Sequence, residues 1–428
     1  MRPMDAGADH LEADYLLETP LDPRKVAEVL AGEQSSGTFV RVAGETDELR
    51  ARSRARVDHI TELEPTARPS LPSAWLDRQG VRGPYRRARV SVSFPIANIG
   101  PNLPTLAATV AGNLYDLGEA TGVRLEALRI PADYRARFER PRVGIAGTRM
   151  RCGVAAGPLV GTIIKPNVGL SAEATGALVA ELCAAGVDFV KDDEVCANPT
   201  HAPMDARIKA VMRAVRDWQQ RTGKHVMVAF NITDEHDAML RHAELVAREG
   251  GSCVMVSLNW CGFSSVQALR RATDLALHGH RNGFGMFARD PALGMAFQPY
   301  QLMWRLAGVD HMHVHGLQGK FAQPDEEVIE SARDCLTPLA DAGDHADRAM
   351  PAFSSGQWAG TLPATLAVAP EGDFLFMAGG GILAHPGGPR AGVQSLRQAW
   401  EATRAGESLV EAAQHAPELR DALAFFGR

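Results

Sequence analysis

The string FVKDDE (189–194) places a lysine directly before three acids. Alternate side chains of an extended strand share a face, so Lys191 and Asp193 point one way. Glu194 follows at the strand exit, where it can swing toward the same site. Two hard carboxylate oxygens suit Mg2+, which keeps several waters or substrate oxygens in its shell. A lysine ammonium cannot ligate a cation; it would have to be a neutral amine or carry a modification. The same string also reads as a salt-bridged charge cluster that caps a strand.

DHMHVHG (310–316) sets His311, His313 and His315 on one strand face, with Met312 and Val314 on the other. His315, nearest the strand exit, is the site candidate, and His311 and His313 read as hydrogen-bonded core residues. The H-x-H spacing also raises a zinc hydrolase that would use His280, His313 and His315, since imidazole is a common zinc ligand. SSG (354–356) and AGGG (378–381) are glycine loops whose exposed backbone N–H groups could cradle a phosphate, with Arg281 and Lys320 adding charge. Such loops are also ordinary turn punctuation.

The elements that must position these residues form a rhythm after residue 145. Eight short apolar runs recur, each followed by a helical stretch: GTIIKP, VDFVKDDE, VMVAFNIT, SCVMVSLN, HGHRNGFG, DHMHVHG, MPAFSSG and FLFMAGGG. Eight strand–helix units over about 250 residues predict a parallel (β/α)8 barrel, or TIM barrel, with its chemistry at the C-terminal strand ends. The polar residues fall there: Lys165, Lys191 to Glu194, Asn231, Asn259, His280, Arg281, His315, Ser354, Ser355, Gly356, Gly379 and Gly380. A doubly wound open sheet is the rival, but GTIIKP lacks that fold's glycine fingerprint. Before residue 145, strand patterns at 15–19, 38–43, 89–95 and 125–130 mix with helical ones at 23–31 and 103–117, while 68–85 reads as loop. This predicts a small α+β, ferredoxin-like domain with one antiparallel sheet over 1–144, ahead of a barrel domain with C-terminal helices over 145–428.

The 428 residues are 45% hydrophobic and 22% charged, which excludes disorder as the main state. Forty-five Lys and Arg against 51 Asp and Glu give a net charge of -6, with no nucleic-acid footprint. No apolar run is long enough to span a membrane. Six cysteines without a C-x-x-C pair read as reduced thiols, and the N-terminal stretch carries early acids and no apolar h-region. A cytoplasmic protein is expected.

These residues, in this order, resemble the RuBisCO superfamily. GTIIKPNVGLS resembles the family's first barrel strand, and FVKDDE the strand whose lysine is carbamylated by CO2. GHR, HVHG-LQGK, SSG and GGG-ILAHPGG correspond to later strands and loops. EQSSGTF (33–39) and VAGNL (110–114) resemble segments that reach a neighbouring subunit's site. The resemblance implies Lys191 as the carbamylated lysine, which with Asp193 and Glu194 would hold one Mg2+ per site. Mg2+ would stabilise an enediolate, with Lys165 as acid/base beside it. His280 would contact substrate hydroxyls; Arg281, His315 and Ser355 would help to bind substrate and phosphate. Backbone N–H groups of Gly356, Gly379 and Gly380 would hold phosphate. Lys320 would lie in a loop closing over substrate. Glu33, Thr38 and Asn113 would come from the partner subunit, making a homodimer the smallest active unit, with no small subunit.

Departures from the carboxylating pattern point to a RuBisCO-like protein that does not fix CO2. Asn167 stands where carboxylating members have a second lysine, Phe284 replaces a histidine, Phe39 a tryptophan and Gln357 a glycine. The loop from His315 to Lys320 is two residues shorter. The resemblance then implies an Mg2+-dependent lyase or isomerase acting on a phosphorylated ketose or keto sugar acid. Decarboxylation of a phosphorylated 3-oxo sugar acid, of the 3-oxo-isoapionate 4-phosphate type, is the preferred expectation. Enolisation or isomerisation of methylthio-pentulose phosphates is the alternative, weakened because the enolase branch carries a lysine where Asn113 stands. A non-catalytic sugar-phosphate binder is a more distant one.

Overall fold

A computed structural model describes residues 9–37, 42–339 and 347–427. Strands are numbered along the chain. The first unit comprises the described residues up to Glu139 together with Gly283–Leu306 and Leu339. Its sheet is built from β1 (His10–Thr19), β2 (Arg56–Thr66), β3 (Tyr85–Pro95), β4 (Gly122–Arg129) and β10 (Leu293–Met295), in the order β10-β4-β1-β3-β2. All pairings are antiparallel except that of β10 with β4, where Leu293 lies opposite Val123. The sheet is therefore mixed, and its last strand comes from far down the chain. Tyr15 in the central strand is buried and donates to the Val110 carbonyl at 2.8 Å, tying the helix Leu103–Ala111 to the sheet.

Several local patterns differ from expectation. The helical pattern over 103–117 breaks at Gly112 into an α-helix and a 3-10 turn at Asn113–Asp116. A short helix, Ala74–Gln79, interrupts the expected loop; Ser73 caps it and left-handed Gly80 ends it. The strand expected at 38–43 lies mostly outside the described residues, and Val42 and Ala43 are not strand. β2 was not anticipated at all.

The second unit comprises Arg140–Asn282, Ala307–Pro338 and the described residues from 347 onward. It contains a closed parallel barrel of β5 (Leu159–Ile163), β6 (Phe189–Lys191), β7 (Met227–Asn231), β8 (Cys253–Ser257), β9 (Ala276–His280), β11 (His311–His313), β12 (Met350–Phe353) and β13 (Leu375–Met377). These are the eight strands predicted from the sequence. Alternation sends Leu159, Phe189, Met227, Cys253, Met255, Met350 and Leu375 into one apolar cluster filling the lower barrel. The helix Gly144–Cys152 joins it through Ile145 and Cys152. Asp310 anchors that helix: its Oδ1 accepts the N–H groups of Val143 and Gly144 at 2.7 and 2.8 Å, and its Oδ2 pairs with fully buried Arg270 at 3.0 Å. Among the described residues no helix is long and apolar enough to cross a membrane.

Candidate active site

The strand exits of β5 to β7 build one half of the site. Lys191 is the last residue of β6 and is buried at 2% exposure, its Nζ donating to the Asp192 carbonyl at 2.9 Å and to Glu194 Oε2 at 3.3 Å. Asp193 is equally buried, and its Oδ2 accepts from Lys165 Nζ at 2.7 Å. Alternation turns Asp192 away to meet buried Arg207 at 3.2 Å, so the middle acid of the string is structural. Asn231, at the end of β7, donates to the Asp193 and Glu194 carbonyls at 3.0 and 3.2 Å and fixes the backbone that carries both carboxylates. Its strand-end position was legible; this bracing role was not.

Charge and burial oppose each other here. Burial, the largest influence on Lys191, lowers its pKa, while Glu194 and Asp193 pull it back up. Burial raises the Glu194 carboxyl, but the positive charge of Lys191 and its hydrogen bond to the carboxylate outweigh it and hold the group at about 2. His280 Nε2 stands 3.5 Å from Glu194 Oε2, and its Nδ1 accepts the Asn282 N–H at 3.3 Å. The ring proton therefore sits on Nε2. Burial, reinforced by Lys191 and opposed by Glu194, lowers its pKa to about 3, so the imidazole is neutral.

The exits of β11, β12 and β13 build the other half. β11 ends at His313, and His315 lies beyond it with a left-handed backbone (φ 66°) and its ring 4.7 Å from that of Phe321. It therefore leaves the strand face on which the spacing had set it with His311 and His313. Burial and the nearby Arg281 cation bring its pKa to about 3. Arg281 is buried and donates to Gln323 Oε1 at 2.7 Å. Lys320 is exposed, with Nζ 5.4 Å from the Phe321 ring centre. Ser355 and Gly356 are consecutive left-handed residues (φ 76° and 80°). In the helix Gly379–Leu383 the Ile382 N–H bonds the Ala378 carbonyl at 3.2 Å, so the N–H groups of Gly379 and Gly380 precede that first helical bond.

The three loops touch. A Cβ on Gly381 would meet the Gln357 carbonyl at 2.5 Å, and one on Gly319 would meet the Ser355 carbonyl at 2.9 Å. Buried Gln357 donates through Nε2 to the Leu317 carbonyl at 3.1 Å, and its Oε1 accepts from Thr361 at 3.1 Å. In the first unit, Asn113 Nδ2 donates to Glu33 Oε1 at 3.3 Å, so these two candidates are together. Thr38 and Phe39 lie outside the described residues.

The zinc constellation is not assembled. Both nitrogens of His313 are engaged, Nδ1 with Ser354 Oγ at 3.1 Å and Nε2 with His278 Nε2 at 2.7 Å. Among the described residues no group of three or more His, Cys, Asp or Glu is arranged to hold a metal.

Residues 144–426 match the ribulose bisphosphate carboxylase large chain catalytic domain, and residues 5–134 match its N-terminal domain. The chain belongs to the RuBisCO large-chain family. A 3-oxo-isoapionate-4-phosphate transcarboxylase/hydrolase of Xanthobacter autotrophicus is 48% identical, over 98% of this chain and 100% of that one. A 3-oxo-isoapionate-4-phosphate decarboxylase of Rhizobium rhizogenes is 41% identical, over 96% of this chain and 97% of that one. A crystal structure of a rubisco-like protein from Burkholderia fungorum superposes with a TM-score of 0.93 at 68% identity, covering 97% of this chain and 100% of that one. The dimeric archaeal Rubisco of Hyperthermus butylicus superposes at 0.86 with 28% identity, covering 99% and 97%.

The donor set can be tested against the metal that this family implies. As they stand, two lysine cations lie on two carboxylates, Lys165 on Asp193 and Lys191 on Glu194. That balance is neutral and leaves no net attraction for a cation. Converting the Lys191 amine to a carbamate replaces one positive charge by one negative and turns the sum to minus two, which a divalent ion matches. The conversion needs an unprotonated amine, and burial favours that form. Lys191, Asp193 and Glu194 therefore fit Mg2+ once the lysine is modified, and do not fit it before.

Proposed function

We propose that this protein acts on 3-oxo-isoapionate 4-phosphate, cleaving the bond to its carboxyl group and adding no CO2. The observation that carries this reading is the convergence of Lys165, Lys191, Asp193, Glu194 and His280 from the exits of β5, β6 and β9. Relatives named for reactions of that substrate support it over nearly the whole chain. A 3-oxo acid loses its carboxylate as CO2 and keeps the bonding electrons as an enediolate, which then takes a proton on carbon.

Mg2+ bound by carbamylated Lys191, Asp193 and Glu194 would act as the Lewis acid that lowers the energy of that enediolate. Lys165 is oriented by Asp193 and by Asn167 Oδ1, each at 2.7 Å, and is placed to deliver the proton. Neutral His280 offers Nε2–H to a substrate oxygen. Arg281, His315, Ser355 and the N–H groups of Gly356, Gly379 and Gly380 hold the phosphorylated end, and the Lys320 loop covers it. Asn167 accepts a hydrogen bond where a carboxylating member would present a second ammonium, which removes one group available to orient CO2. The protein works as a homodimer in the cytoplasm, each first unit lending Glu33, Thr38 and Asn113 to its neighbour. Burial of Cys152, Cys183, Cys253 and Cys335 as free thiols suits a reducing compartment.

The 48% identity to the transcarboxylase/hydrolase favours a second outcome from the same first step. There the carboxyl group is captured by another atom of the substrate, and water then cleaves the product. Incubation of the enzyme, Mg2+ and bicarbonate with carboxyl-labelled substrate separates the two: decarboxylation releases labelled CO2, and transfer followed by hydrolysis keeps the label in an acid product. Neither outcome, at saturating substrate, would overturn the reading. Mixing the single variants Asn113→Ala and Lys165→Ala tests the shared site: subunit exchange should restore up to about a quarter of wild-type activity, since one of every two sites in a mixed dimer is intact. Inactivity of the mixture would remove the shared site.

A further inference from the structure

A file of hydrogen bonds runs down the inside of the barrel, and no step of the proposed reaction uses it. Ser354 Oγ lies 3.1 Å from His313 Nδ1, and His313 Nε2 lies 2.7 Å from His278 Nε2. His278 Nδ1 lies 3.3 Å from His311 Nδ1, and His311 Nε2 lies 2.7 Å from Thr148 Oγ1. Thr148 Oγ1 in turn donates to the Gly144 carbonyl at 2.6 Å. His278 and His311 are fully buried, and His313 is 3% exposed.

The direction of every bond follows from its last member. A carbonyl only accepts, so the single hydroxyl proton of Thr148 is committed to Gly144. His311 must then donate from Nε2, which leaves its Nδ1 bare. Burial holds all three imidazoles neutral, each with its pKa below the usual histidine value. With one proton per ring, His278 donates from Nδ1 to His311, His313 donates from Nε2 to His278, and Ser354 donates to His313.

We propose that Thr148, His311, His278 and His313 are positioning residues that polarise this file in one direction and so make the Ser354 hydroxyl an obligate acceptor toward the ligand. Ser354 opens the loop that carries Ser355 and Gly356, and it continues the inward alternation of β12 after Ala352. Its proton is spent downward, so the lone pairs left at the barrel mouth accept from a ligand hydroxyl and repel a ligand carbonyl or carboxylate oxygen. The site thus selects a hydroxyl-bearing phosphorylated ligand in one orientation. The same file fixes the His313 ring, whose centre lies 4.4 Å from that of His280, while His280 itself is oriented by Glu194 and the Asn282 N–H. This inference rests on the proposed site, but the order of the protons does not depend on the reaction.

Nitrogen NMR of the full-length, ligand-free enzyme labelled in its histidine rings tests the order directly. Neutral His278 protonated on Nδ1, with His311 and His313 protonated on Nε2, is expected at pH 7.5. Finding His278 protonated on Nε2, or any of the three as imidazolium, would overturn the proposal whether or not the substrate assignment survives. Thr148→Val removes the acceptor beneath His311 and should shift at least one ring to the other tautomer. It should also raise KM for the phosphorylated substrate about tenfold while kcat stays within about threefold. Thr148→Ser keeps the hydroxyl and should restore both. Unchanged tautomers in a folded Thr148→Val would equally overturn it.

Discussion

Gln357 is hydrogen-bonded to the Leu317 carbonyl at 3.1 Å, and a Cβ on Gly316 would meet the same Gln357 amide at 2.0 Å. One side chain thus staples the loop that carries Lys320 onto the loop that carries Ser355, and Gly316 is required for the approach. Gln357→Gly removes the staple. Hydrogen exchange of residues 316–321 should accelerate, and kcat/KM should fall about tenfold. Exchange as slow as in the wild type would show that the loop is held by other means.

Lys191 is the residue on which the neutral-to-anionic switch of the site depends. Lys191→Ala should abolish Mg2+-dependent turnover, a loss of about a thousandfold or more. Preincubation of the wild-type enzyme with bicarbonate and Mg2+ should raise its initial rate and give a carbamate signal in carbon NMR with labelled CO2. Full activity of Lys191→Ala, or Mg2+ binding in it equal to wild type by calorimetry, would remove the carbamate from the mechanism.

Asp310 accepts from Val143, Gly144 and Leu277 and pairs with Arg270 where both side chains are fully buried. Removing one member of a buried pair strands the other charge. Asp310→Ala should destabilise the barrel by about 3–5 kcal/mol in chemical denaturation. An effect below about 1 kcal/mol would mean that Arg270 finds another partner.

His278, His311 and His313 have pKa values lowered by burial, that of His311 to about 4. The unfolded chain, with histidines near 6.5, binds more protons than the folded one below that pH. Their contribution to stability is therefore complete above pH 6.5 and is lost progressively as pH falls toward 4. Each contributes a slope of up to about 1.4 kcal/mol per pH unit in that window. Denaturation midpoints across pH 4–8 measure it; a stability independent of pH between 4.5 and 6.5 would contradict the neutral file.

The barrel was legible because each strand is a short apolar run with polar residues gathered at one end. FVKDDE carried even more, since alternation alone separates Asp193 in the site from Asp192 on Arg207. β2 was not legible. Its apolar residues Val57, Ile60 and Leu63 fall every third position, and register shifts between Val57 and His59 and between Leu63 and Thr66 accompany that spacing. Irregularities of this kind break the period of two on which strand reading depends. The roles of Gln357 and Ser354 were hidden for another reason: each depends on contacts between separate loops or strands, which no local pattern encodes. His311 and His313 were correctly read as hydrogen-bonded core, but their order down the barrel required Thr148, which stands over a hundred residues away.

The parallel pairing of β10 with β4 has a consequence for the nascent chain. The first unit's sheet has four of its strands once residue 129 is made, yet the neighbour of β4 is Leu293–Met295, which follows five barrel strands. Until then the outer edge of β4 presents unpaired N–H and C=O groups. The N-terminal unit therefore cannot complete its sheet as synthesis passes Glu139. A fragment ending there would carry an open strand edge, prone to pairing with other chains, and the first unit's sheet is complete only once Leu293–Met295 has been made.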